Sequence, residues 1–126
     1  MEKKDQERIS ETFQQGTSNF TEADLAKVMK DEETAQKKAS KLGEQFKNFI
    51  LLWDLLKDYY KGNYKTAPWK LIASIGFAVV YLVSPLDVIP DILPVVGFVD
   101  DTAVFAMVVA AFQADINAYK EWKKNH

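Results

Sequence analysis

Residues 71–83 read LIASIGFAVVYLV, and residues 84–101 continue SPLDVIPDILPVVGFVDD. The first stretch holds no charged side chain on any helical face, so as a helix it must be covered nearly all round and cannot be an ordinary surface helix. The second holds three of the chain's four prolines. Proline removes a backbone donor and disfavours helix at the residue before it, which predicts a stiff, kinked connector rather than one continuous helix. Ser84-Pro85-Leu86-Asp87 suits a helix entry, and Gly97 permits a positive φ shortly before Asp100 or Asp101 caps the next helix.

Beyond the connector, residues 102–122 carry Val104, Phe105, Val108, Val109, Phe112, Ile116 and Tyr119 on one face, which predicts a last helix. Ala106, Ala110 and Ala114 repeat every four residues; with Ser74 and Ala78 they either let two helices approach closely or simply reflect alanine's helix preference. Before the apolar stretch, Thr66-Ala67-Pro68 reads as an entry to a helix over 67–83. Lys61, Gly62 and Asn63 read as the stop of a long amphipathic run over 33–60, in which Leu42, Phe46, Phe49, Trp53, Leu56 and Tyr60 recur at steps of three and four. Thr21 and Asp24 form a T-x-x-D pair flanked by Phe20 and Leu25, which predicts a short helix over 22–30. Residues 1–19 are polar, with Ile9 and Phe13 isolated, and are expected as a disordered or frayed tail. No segment alternates with the period of a half-buried strand. The fold class is therefore all-α: a small helical bundle over 20–126, forming a single domain around a central apolar hairpin with a Pro/Asp-rich connector.

Composition narrows the functions. The 126 residues are 48% hydrophobic and 27% charged, enough apolar character for a real core. A net charge of −2 supplies no field to gather nucleic acid, and no nucleic-acid partner is expected. Without cysteine there is no disulfide, thiolate zinc site or cysteine nucleophile, and the one histidine is His126. The first residues, MEKKDQERISETFQQ, lack the apolar region of a secretory signal. Basic residues are absent from Leu71 to Tyr119, and Lys57, Lys61, Lys65, Lys70 and Lys120, Lys123, Lys124 bracket that stretch.

The string YLVSPLDVIPDILPVVGFVDD resembles the signature of the YkvA-like family, a bacterial domain of unknown function. Tyr81, Pro85, Asp87, Ile89, Pro90, Asp91, Pro94, Gly97, Asp100 and Asp101 match its pattern, with Trp69 in a similar place upstream. The likeness covers about residues 69–108 and implies a small helical protein, often membrane-associated, with no established activity or cofactor.

The connector is the expected functional site. Asp87, Asp91, Asp100 and Asp101 supply oxygen ligands suited to Mg2+ or Ca2+, and no cysteine or nearby histidine favours zinc. Helix capping and turn hydrogen bonds are the simpler use for the same four carboxylates. Paired carboxylates in apolar surroundings can also serve as acid and base, but there is no Gly-rich phosphate loop, nucleophile elbow or H-E-x-x-H, so the chain reads as non-catalytic. The apolar helix admits two settings. It is the centre of a soluble bundle, or part of a hairpin at the bacterial cytoplasmic membrane whose lysine-flanked ends face the cytoplasm. In the second, Trp53, Tyr59, Tyr60, Tyr64 and Trp69 with the four lysines before residue 71 form an interfacial belt. Protein partners and oligomeric state are left unspecified.

Overall fold

A computed structural model describes residues 14–83 and 101–126, the side chains of 101–103 excepted. The bundle is all-α. A helical stretch at 14–19 leads to α1 (Glu22–Lys30), α2 (Glu32–Ala39), α3 (Gln45–Lys61) and α4 (Trp69–Val83). Beyond the connector come α5 (Asp101–Ala111) and α6 (Gln113–Lys124).

The uncharged stretch is the hub. Helix α4 packs against α1, α2, α3 and α5. Leu71, Ile72, Ile75 and Ala78 are fully enclosed, and Val79, Tyr81 and Leu82 nearly so. Protein, rather than solvent, covers the face that has no charges, as its composition requires. Phe49, Leu52, Leu55 and Leu56 of α3 are also fully buried, and the Phe49 ring meets Phe105 of α5 edge-on with centroids 5.8 Å apart. Helices α3, α4 and α5 therefore share one core.

Local chemistry sets several boundaries. The capping box at α1 is complete: the Asp24 amide donates to Thr21 Oγ1 at 3.2 Å, and the Thr21 amide donates to Asp24 Oδ2 at 3.0 Å. Helix α3 ends in a Schellman turn, with Gly62 at φ +83°, its amide on the Tyr59 carbonyl and the Asn63 amide on the Asp58 carbonyl. The amides of Leu71 and Ile72 both donate to the Pro68 carbonyl and open α4.

Two expected helices are each two. The run over 33–60 breaks at residues 40–44, where Gly43 takes φ +64° and the buried Leu42 anchors the turn. The helix over 102–122 breaks at Phe112, whose ψ of 32° departs from helical values. Apolar periodicity survives a one-turn bend, so it cannot reveal either break. The bend at Phe112 coincides with α6 lying on α3, where Tyr119 reaches Asp58 and Lys123 reaches Asp54.

The close helix approaches also differ from the alanine-stripe reading. Ala110 and Ala114 are exposed, which leaves helix preference as their role. Ser74 and Ala78 of the same reading are buried on α4, and other small residues also admit neighbours. Ala35 and Ala39 of α2 are fully buried beside α4. A Cβ on Gly76 would stand 2.4 Å from the Phe20 ring, and one on Gly16 would stand 2.1 Å from the Phe77 ring. The two glycines thus hold the segment 14–20 against α4 by reciprocal ring-on-backbone contacts. The last residues of the stretch expected as a tail are helical, and Thr17 is buried.

Candidate functional site

The end of α4 leads into the acidic connector, so the groups around Val83 define the described edge of the expected site. A helix C-terminus leaves its last carbonyls without intrahelical partners and carries partial negative charge. Lys38, from the last turn of α2, places its ammonium there and donates to the Val83 carbonyl at 3.0 Å. The contact spans 45 residues of sequence and exists because α2 lies along α4. Sequence periodicity marks Lys38 only as a solvated charge. Asp87, Asp91 and Asp100 lie outside the described residues. Asp101 begins α5, and its side chain lies outside them too. Among the described residues no three acidic or histidine side chains gather in a manner that could hold a metal ion.

Helix α2 is held to α3 through one carboxylate. Glu32 Oε2 accepts from the Trp53 indole N–H at 2.8 Å, from Lys57 Nζ at 3.3 Å and from Gln36 Nε2 at 3.3 Å. Trp53 is nearly enclosed, so its indole needs an acceptor, and Glu32 supplies it. A second junction joins α6 to α3. The fully buried Tyr119 donates its hydroxyl to Asp58 Oδ2 at 2.5 Å, and the Lys123 ammonium donates to Asp54 Oδ2 at the same distance. Burial raises the Tyr119 pKa above the ordinary phenol value, and the Asp58 carboxylate raises it further by accepting the phenolic proton's hydrogen bond and by its charge. A polar cleft of about 520 Å³ opens here, lined in part by Lys57, Lys61 and His126, whose ring stacks on Trp122 at 4.4 Å. Its carboxylates are occupied by these internal contacts, which fit a structural role.

The proposed aromatic belt divides in three. Trp53 and Tyr64 belong to the core, Tyr64 packing edge-on against Tyr119 at 5.1 Å. Tyr59 and Trp69 are half-buried and face one another at 6.2 Å. Tyr60 is 52% exposed, beside the exposed Lys61 and with the exposed Lys65 just after the turn. Rings near lysines in sequence do not distinguish these cases, because the same i, i+3 and i+4 spacing serves a core and an interface. No helix among the described residues is long and apolar enough to cross a membrane.

Comparison with known proteins falls on the same region. A family model described as "Protein of unknown function (DUF1232)" matches residues 71–107, from the start of the buried stretch of α4 through the connector to Met107 of α5. The uncharacterized membrane protein YkvA of Bacillus subtilis strain 168 is 31% identical over 71 residues, 56% of this chain and 67% of that protein. The chain belongs to the YkvA-like, DUF1232 family. No solved structure matches it. Within this YkvA-like chain, the family stretch is the hub helix, the connector and most of α5, whereas α1, α2 and α3 wrap the hub from outside that stretch.

Proposed function

We propose that this YkvA-like protein is a non-catalytic, membrane-associated interaction module that lies on the cytoplasmic face of the bacterial membrane, with the acidic connector as its partner-binding end. The observation that carries the reading is the likeness to a Bacillus protein described as a membrane protein. The packing of α4 inside protein favours contact with the membrane surface over insertion of that helix. Tyr60, Lys61 and Lys65 provide a surface for it: an exposed ring beside two cations that make no ion pair among the described residues. Each lysine near an anionic leaflet contributes about 1 kcal/mol, so the pair gives roughly a 30-fold preference for anionic vesicles at low salt.

Co-sedimentation with phosphatidylglycerol vesicles tests this. The protein is expected in the pellet at low salt, released by high salt or carbonate, and lost from the pellet in the Lys61→Glu, Lys65→Glu double variant. Protein that stays in the supernatant at low salt overturns surface association. Retention in native membranes after a carbonate wash overturns the peripheral placement in favour of an integral one.

A further inference from the structure

A second cleft, of about 520 Å³, lies between the segment 14–18, the first half of α4 and the second half of α5. That is within the size range of small-molecule sites. Trp69, Ala73, Val108 and Phe112 give it apolar walls, and the exposed Lys70 stands at its rim with no ion-pair partner among the described residues. Thr17 also lines it. Thr17 is 8% exposed, and its hydroxyl has no hydrogen-bond partner among the described residues. A helical threonine ordinarily chooses between two χ1 wells, one of which bonds its hydroxyl to the preceding turn. No described residue pairs with the Thr17 hydroxyl, which leaves a buried polar atom unanswered just behind the lining of the cleft.

We propose that this cleft binds one medium-chain fatty acid. The acyl chain lies against Trp69, Ala73, Val108 and Phe112, and the carboxylate accepts from the Thr17 hydroxyl after one χ1 step and pairs with Lys70. A neutral tail alone leaves both polar groups unanswered, whereas a carboxylate answers a donor and a cation together. This site goes beyond membrane association and does not depend on it, because its ligand is a monomer in water.

The test is calorimetric titration of the full chain with dodecanoate below its micelle threshold, with decanoate and dodecanol as companions. Dodecanoate is expected to bind one per chain. Decanoate should bind up to about 15-fold more weakly, from about fourfold per buried methylene. Thr17→Val keeps the shape and removes the hydroxyl, so it should raise the ligand-free Tm by about 2–8 °C while weakening dodecanoate about tenfold. Lys70→Gln should weaken dodecanoate up to about fivefold and leave dodecanol unchanged. Absence of saturable binding overturns the proposal, as does equal binding by wild type and both variants. Two other occupants would also overturn it. A stable dimer that takes up no dodecanoate would assign the cleft to a second copy. A rise in dodecanoate affinity on the double substitution Ile9→Ser, Phe13→Ser would assign it to the chain's own first residues.

Discussion

Tyr119→Phe separates the junction between α6 and α3 from the rest of the core. The substitution keeps the ring, its edge contact with Tyr64 at 5.1 Å and its stacking on Trp122 at 5.8 Å, and removes only the hydroxyl bonded to Asp58. A hydrogen bond to a charged group contributes about 1.5–3 kcal/mol, and Asp58 is half-buried, so water can replace part of it. The lower figure applies, about 1.5 kcal/mol at pH 7, or a fall in Tm of roughly 6 °C for a chain of this size. The pH dependence has a definite sign. The Tyr119 pKa is raised in the folded state, so the native protein keeps the phenolic proton where the unfolded chain has lost it. That stabilisation is complete below the ordinary phenol pKa of about 10 and is lost as pH rises beyond it. From pH 10 upward, wild type should lose about 1.4 kcal/mol per pH unit relative to Tyr119→Phe, and the gap should close near pH 11. Urea denaturation of both proteins at pH 7, 9, 10 and 11 measures it, since other titrating groups cancel in the difference. Equal stability at pH 7, or a gap that persists at pH 11, would refute the assignment of a stabilising phenol–carboxylate bond.

Gly76→Ala should lower Tm, because the new methyl meets the buried Phe20 ring at 2.4 Å and overpacking costs about 1–3 kcal/mol, more than the ~1 kcal/mol gained in helix preference; a rise in Tm would show that the ring yields freely. Thr21→Ala removes the oxygen that accepts the Asp24 amide and should cost about 1 kcal/mol by thermal melting, with Thr21→Ser largely retaining the cap. Trp53→Phe takes the indole donor from Glu32 and leaves a cavity, so a loss of about 2 kcal/mol in chemical denaturation is expected, accompanied by easier proteolysis in α2. If Asp87, Asp91, Asp100 and Asp101 serve as caps, millimolar magnesium or calcium leaves Tm unchanged; a metal-dependent rise abolished by Asp91→Asn and Asp100→Asn would assign them to a cation instead.

Some of this protein is decided along the chain. Thirteen residues without a charge, from Leu71 to Val83, leave a helix no face to offer water, and that composition alone requires it to be covered nearly all round, as it is. The α1 cap and the Gly62 stop are equally local, since each depends on side chains or φ angles within a few residues. The YkvA-like signature likewise rests on contiguous residues, and the family match falls on it. The partners of the hub are not local. Whether Trp53 and Tyr64 face lipid or core, why Phe20 needs a glycine at position 76, and why Lys38 rather than another lysine meets Val83 depend on which helices lie side by side. The breaks at 40–44 and at Phe112 belong to the same class, because a bend leaves the apolar rhythm of the sequence nearly unchanged while redirecting every contact beyond it. Burial and capping are short-range demands that composition already expresses; choice of neighbour is a long-range outcome of shape, which appears only when the helices pack.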